Sequence, residues 1–327
     1  MPSKSKIYLI FVILAGLCWG TYVPMIAQGG KELKSSYASF LCVGIAYFLI
    51  AILLPVGILW ARGKMPAWNR GGVTFATLAG VAGAVGALCV VFATIEFKGP
   101  KIYVGPVIFA LAPVINTLVS LFWHPDEGAL TFGLPREKPH WSLYIGIVFA
   151  GLGAFLVLFA KEWTETHHAQ SPAAEADPRY LIFVLLAGLC WGTYVPLIAQ
   201  GGKELKSSYA SFLCVGVAYF LIAILFPLGM FWQRGSVPEF KPVGTTLATL
   251  AGVAGAVGAL CVIFATFEFK GPKIYVAPVI FALAPVINTI VSLLWHPTTD
   301  APLTFGAPVE TPHWSLYIGI VLAGAGA

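Results

Sequence analysis

Apolar residues run in long stretches along this chain, separated by short polar ones, and the stretches fall into two sets of five. The first set covers about Ile7–Gln28, Tyr37–Ala61, Gly72–Phe97, Lys101–Trp123 and Trp141–Ala160. The second covers about Tyr180–Gln200, Tyr209–Trp232, Val243–Phe269, Lys273–Trp295 and Trp314–Ala327. Most are near ~20 residues, the length that crosses a hydrocarbon core of ~30 Å as a helix. None alternates apolar and polar positions as barrel strands do, and lipid offers no water to an unpaired backbone. The pattern therefore predicts an all-α integral membrane protein with ten transmembrane helices.

The two sets are nearly the same sequence. Ala15–Leu53 recurs as Ala187–Leu225 with only Met25 changed to Leu197 and Ile45 to Val217. The register holds to His124-Pro125 and His296-Pro297, after which one inserted residue aligns Trp141 with Trp314. The organisation read from this is a first five-helix repeat over 1–161, a polar linker over 162–179 and a second five-helix repeat over 180–327. The linker, within KEWTETHHAQSPAAEADPR, reads as a flexible external connector, and its His167-His168 pair lacks further metal ligands. The last run stops at Ala327, the equivalent of Ala154, so a truncated final helix is expected.

Five helices is an odd number, so the second copy must enter the membrane from the opposite side. With the N-terminus inside, the segments on that side hold a small excess of Lys and Arg. The copies themselves say more. The loop after the fourth helix carries Arg136 and Lys138 in copy one and neither in copy two. The loop after the second helix has Arg62, Lys64 and Arg70 in copy one but only Arg234 and Lys241 in copy two. The loops expected to face outward have shed positive charge, as the positive-inside rule requires of two inverted five-helix repeats. Residue 136 is expected inside and residue 309 outside, with both termini cytoplasmic in a bacterial inner (plasma) membrane.

Composition narrows the function. The chain is 58% hydrophobic and only 10% charged, with mean hydropathy +0.86, against roughly 25% charged residues in soluble domains. The net charge of +5 is spread singly over short loops, which excludes a nucleic-acid stripe. The six cysteines lie in apolar runs, without a metal spacing, and read as small buried side chains. MPSKSK and the run after it resemble a signal peptide. The run's duplicate begins near Tyr180, mid-chain, so a retained helix is expected. No phosphate-binding loop and no nucleophile–base set is present, so neither ATP drive nor an enzyme is read here, and no cofactor or metal is expected.

Two motifs carry the candidate chemistry. GLCWGTYVP sets Trp19, Thr21 and Tyr22, with Trp191, Thr193 and Tyr194, at membrane depth as an aromatic plate with hydroxyls. Such a mixture suits a stacked, hydrogen-bonded polar solute; its structural alternative is a packing helix kinked at Pro24 or Pro196. The fourth helices, VGPVIFALAPVINTLVSLFW and VAPVIFALAPVINTIVSLLW, carry Asn116 and Asn288, which must find a partner in a helix interface or a solute. Pro106, Pro113, Pro278 and Pro285 are read as breaks in these helices, tolerated where a cavity is lined. AGVAGAVGA (Ala79–Ala87 and Ala251–Ala259) reads as a packing seam. Glu96 and Glu268 are the carboxylates nearest the membrane; Lys98 and Lys101 favour an interfacial salt bridge over proton coupling. Gly29-Gly30 reads as the end of the first helix, with Ser35 or Ser36 capping the second. His124, His140, His296 and His313 read as turn and interfacial residues.

These features together resemble the drug/metabolite transporter superfamily of EamA-like ten-helix carriers. The resemblance covers the whole chain and rests on the paired repeats, Trp19-Gly20 and Trp191-Gly192, the Gly/Ala-rich third helix and the Pro-containing fourth helix. WGTYVP before a Gly-Gly pair looks most like the branch of glucose/ribose uptake and rhamnose–proton symport permeases. The resemblance implies a secondary carrier working by alternating access around a central cavity, with lipid and a small-molecule solute as partners; a homodimer is left open. An exporter of amino acids, drugs or other metabolites is the alternative on the same fold. A non-transporting membrane protein or inactive fragment is the alternative of another class.

Overall fold

The structure, a computed structural model, describes residues 6–63, 66–125, 131–135, 140–167, 176–298, 300–308 and 311–326. Ten helical segments follow in order: α1 (Ile7–Leu33), α2 (Ser36–Arg62), α3 (Arg70–Glu96), α4 (Lys101–Phe122), α5 (Trp141–His167), α6 (Tyr180–Leu205), α7 (Ser208–Arg234), α8 (Pro242–Glu268), α9 (Lys273–Leu294) and α10 (Ser315–Gly326). Among the described residues nine are long and apolar enough to cross a membrane, and α10 is a shorter apolar helix. The same residues hold no strand, only isolated bridges from Trp123 to Phe132 and from Trp295 to Phe305. Large apolar side chains such as Ile10, Ile13, Leu49 and Leu185 lie on the outside, where lipid rather than water is the favourable neighbour. These features are those of a helical integral membrane protein.

Local chemistry starts and stops the helices. Ser35 accepts from the Ala38 amide and Ser207 from the Ala210 amide, each at 3.2 Å, so these serines cap α2 and α7. Asn69 does the same for α3 through the Gly72 amide at 2.7 Å. Ser36 plays a different part, and its hydroxyl donates to Glu96 at 2.7 Å.

Several sequence readings need correction. Gly29-Gly30 does not end α1, which runs to Leu33 and closes on Lys34 at φ 51°. The pair serves packing instead. A Cβ on Gly29 would stand 2.7 Å from the Ala248 amide nitrogen and 3.0 Å from the Gly244 carbonyl oxygen, so only glycine lets α1 and α8 approach there. Nor do the prolines break their helices: α1 continues through Pro24, α4 through Pro106 and Pro113, α6 through Pro196 and α9 through Pro278 and Pro285. Each proline still removes one amide donor, and neighbouring helices hold the remaining turns in register. The irregular segments lie elsewhere. Wide π-type turns occupy Phe48–Leu53 in α2, Phe92–Glu96 in α3 and the matching Phe220–Leu225 and Phe264–Glu268.

The stretch read as a flexible linker is ordered at its described ends. Helix α5 runs through Lys161 to His167. Before α6 the Asp177 amide donates to the Phe97 carbonyl at 3.1 Å, and the Arg179 guanidinium lies 4.9 Å over the Phe97 ring. Hydrogen bonds from Arg179 hold the Asp177 carboxyl below its ordinary range. His168, and the loop positions 136, 138 and 309, lie outside the described residues.

The two halves pack into one another. Helix α1 lies along α8 and α9, and α6 lies along α3 and α4. Helix α2 packs on α8, α7 on α3, and α5 on α10. Each of these pairs joins one half to the other. Partners run in opposite directions: Gly271, beyond the end of α8, meets Tyr8 at the start of α1, while Gly244 at the start of α8 meets Leu33 at the end of α1. Likewise Lys101, at the start of α4, sits 5.5 Å over the Trp295 ring that closes α9.

Candidate functional site

Trp19 and Trp191 meet at the centre of the bundle. Their rings stack at 6.3 Å with 20° between planes. Trp19 also stacks on Phe281 at 5.7 Å, Trp191 on Phe109 at 5.8 Å, and Phe109 and Phe281 close the set at 6.3 Å. Both indoles are tied to the backbone of the other half. Trp19 donates from Nε1 to the Gly255 carbonyl and Trp191 to the Gly83 carbonyl, both at 3.3 Å. The missing side chains of Gly86 and Gly258 make room for these indoles, and those of Gly83 and Gly255 for the rings of Tyr219 and Tyr47; a Cβ on Gly86 would stand 2.5 Å from Nε1 of Trp191. The small-residue seam is therefore also a wall of the site.

Beside the indoles Tyr22 and Tyr194 are buried, and neither hydroxyl has a partner in the protein. Tyr47 and Tyr219 stack at 3.5 Å with 4° between planes. These six aromatics, with Gly83, Ala87, Gly255 and Ala259, line a cavity of about 20 Å³. That space holds about one water. The centre of the bundle is thus closed to an organic solute in this conformation.

Of the sequence candidates, Trp19, Tyr22, Trp191 and Tyr194 come together around this cavity. Thr21 and Thr193 do not join them. Thr21 donates to the carbonyls of Leu17 and Cys18, and Thr193 to those of Leu189 and Cys190, the preceding turn of their own helices. A mid-helix threonine readily satisfies itself this way, so its hydroxyl is not presented to a solute. Asn116 and Asn288 are fully buried and are not among the residues lining the cavity. Tyr47, Tyr219, Phe109 and Phe281 do not stand out in the sequence, where they look like ordinary residues of apolar runs.

A much larger space opens at one end. A cavity of about 1130 Å³ lies among the ends of α4, α6, α8 and α10 and the starts of α5 and α9. Its lining includes Ser120, His140, Gln200, Lys270, Tyr275 and Gly326. Tyr275 is 57% exposed there, whereas the equivalent Tyr103 at the opposite end is 6% exposed. The ends also differ in their flanking helices: α5 continues to His167, while α10 is described to Gly326, the equivalent of Gly153. His124 and His140 line the vestibule while engaged locally, with the Leu134 carbonyl and the Ser142 hydroxyl.

The carboxylates nearest the membrane take partners other than those expected. Glu96 accepts from Ser36, and Glu268 from Ser208, both at 2.7 Å. Among the described residues no ion pair joins Glu96 to Lys98 or Lys101. Lys98 adopts φ 54°, a left-handed position at the helix end, and the Lys101 ammonium lies over the Trp295 ring instead.

No family model matches the chain, and no curated protein does. One solved structure, described only as the crystal structure of a protein, is similar over 95% of this chain and 96% of its own, with a TM-score of 0.53 and 14% identity. That likeness is one of fold.

Proposed function

We propose that the chain is a secondary carrier moving a small polar organic solute, with a sugar-like compound favoured, by alternating access between two inverted five-helix repeats. The observation that carries this reading is the antiparallel packing of two near-identical halves around one shared aromatic centre. Equivalent bonds in the two halves match: each indole donates to a glycine carbonyl of the other half at 3.3 Å, and Glu96 and Glu268 each accept from a serine at 2.7 Å. Two near-identical halves of opposite orientation can exchange small differences in conformation at little cost, so that an opening at one end would pass to the other. The antiparallel pairing of α1 with α8 and of α4 with α9 supports the inversion. The closed aromatic centre supports a barrier between the two ends. The vestibule lies on the face that carries the start of α1, since Gly271 in its wall meets Tyr8. With the N-terminus cytoplasmic, as the loop charges favour, that face is the inner one of a bacterial inner membrane. The resemblance to the drug/metabolite transporter superfamily points the same way.

The test combines flux with accessibility. The purified protein in proteoliposomes is offered labelled D-glucose, D-ribose, L-rhamnose, uridine and L-leucine, and uptake is compared with empty liposomes. In parallel, Tyr275→Cys and Tyr103→Cys are exposed to a polar maleimide. Cysteine at 275 is expected to react first, and a transported solute is expected to raise the reactivity at 103. A solute that moves while 103 stays unreactive throughout would mean that the end at 103 never opens, and alternating access would be wrong.

A further inference from the structure

We infer that the two intramembrane asparagines have separate roles: Asn116 contacts the solute and Asn288 holds α4 to α9. This rests on the carrier reading and names, within it, the residue that makes a polar contact. Both asparagines are fully buried and occupy equivalent positions. Their surroundings differ through one of the few substitutions between the copies, Gly105 against Ala277.

Asn288 donates from Nδ2 to the Lys101 carbonyl at 3.3 Å. In a helix that carbonyl points along the axis toward residue 105, four positions on. With glycine at 105 no side chain stands between the carbonyl and the facing helix. A Cβ there would lie 2.4 Å from Oδ1 of Asn288, so the bond depends on its absence. The equivalent carbonyl for Asn116 is that of Lys273, and residue 277 is an alanine whose methyl is fully buried. Asn116 makes no such bond: neither its Nδ2 nor its Oδ1 has a partner in the protein, whereas on Asn288 only Oδ1 lacks one.

An amide with both atoms unpaired is costly to bury unless it serves a partner from outside the protein. A second unpaired polar group lies next to it. Ser120 lies one helical turn beyond Asn116 on the same face of α4, lines the vestibule, and has a hydroxyl with no partner of its own. Ser120 and Asn116 therefore set unpaired polar groups one turn apart, running from the vestibule wall into the bundle. An amide that offers a donor and an acceptor side by side matches a solute with adjacent hydroxyls, or a carboxamide. That chemistry fits a neutral polyol better than an anion or an apolar drug.

The experiment uses the full chain and four variants: Asn116→Leu, Asn288→Leu, Ala277→Gly and Gly105→Ala. Unfolding midpoints in detergent need no solute. Asn116→Leu is expected to raise the midpoint by about 2 °C or more, and Asn288→Leu and Gly105→Ala to lower it by about as much. Equal losses for the two asparagine variants would overturn the inference. Uptake of whichever probe sugar the wild type carries gives the second readout. Asn116→Leu is expected to raise KM at least tenfold and Asn288→Leu to leave it within twofold. Ala277→Gly, which uncovers the Lys273 carbonyl for Asn116, is expected to raise KM as well. Equal KM effects at 116 and 288 would also overturn it. If no sugar, nucleoside or amino acid of the panel moves in the wild type, the carrier reading fails, while the midpoints still decide whether the two asparagines differ.

Discussion

Tyr47 and Tyr219 lie face to face where the two halves meet, their ring centroids 3.5 Å apart and their planes 4° from parallel. Each belongs to a different half and each packs against the other's equivalent, so the pair behaves like one residue of a symmetric dimer meeting itself. Aromatic pairs contribute about 0.5–1.5 kcal/mol beyond the area they bury. A double-mutant cycle of Tyr47→Leu and Tyr219→Leu, read by unfolding in detergent, is expected to return a coupling in that range. A coupling near zero would show that the rings only fill space.

Four lysines occupy left-handed backbone at helix ends: Lys34 at φ 51°, Lys98 at 54°, Lys206 at 50° and Lys270 at 53°. A non-glycine residue there loses ~1–2 kcal/mol to its own Cβ. Lys206→Gly is expected to stabilise the protein by about 1 kcal/mol in spite of glycine's greater freedom in the unfolded chain. Lys206→Ala removes the same charge and keeps the Cβ, so it is expected to bring no gain. Equal shifts for the two variants would assign the effect to charge instead.

The helices were legible in the chain because lipid makes the signal strong: a run such as Arg70–Glu96 has no other stable form in hydrocarbon. Their partners were not. Ala15–Leu53 and Ala187–Leu225 are almost the same sequence. A surface of α1 that fits α8 would also fit α3, and pattern alone does not choose between packing within a half and packing across halves. Gly29 is ambiguous for a related reason. Glycine serves both as a helix stop and as a close-contact residue, and only the position of Ala248 opposite it decides. Proline is a weaker stop signal here than its chemistry suggests, because a helix held by neighbours survives the loss of one amide donor. The aromatic centre was half legible: Trp19 and Tyr22 stand out beside polar residues, whereas Phe109 and Tyr47 do not.

Ser36 and Glu96 form a hydrogen bond at 2.7 Å between the start of α2 and the end of α3, and Ser208 with Glu268 repeats it in the other half. A hydrogen bond to a charged group contributes ~1.5–3 kcal/mol, and removing the donor strands the carboxylate. Ser36→Ala and Ser208→Ala are each expected to destabilise by about 1–2 kcal/mol, and the double variant by the sum, since the two bonds share no partner. The glutamates are then expected to act as ties between helices rather than as proton carriers. In flux assays the Glu96→Gln/Glu268→Gln protein is expected to respond to a pH gradient as the wild type does. Loss of that response with uptake otherwise intact would reassign them to coupling.

The glycines of α3 and α8 offer the sharpest contrast between two roles of one residue type. A Cβ on Gly86 would stand 2.5 Å from Nε1 of Trp191, and one on Gly258 2.4 Å from Nε1 of Trp19. Neither indole has an easy retreat, because each donates to a carbonyl at 3.3 Å and sits in the stacked aromatic set. Gly86→Ala therefore overpacks the centre, with an expected cost of about 1–3 kcal/mol. It should also move Trp191 off Phe109 and change the tryptophan emission. Gly57 in α2 is the control, since nothing lies within 4 Å of a Cβ built there. Gly57→Ala is expected to gain up to about 1 kcal/mol from helix propensity alone and to leave the emission unchanged. The two substitutions add the same methyl group to glycines within helices. Opposite signs in stability, with an emission change only at 86, would show that the Gly/Ala seam of α3 is shaped by the tryptophan it holds. Matching gains at both positions would mean that Trp191 is free to move and that the aromatic centre is looser than its contacts imply.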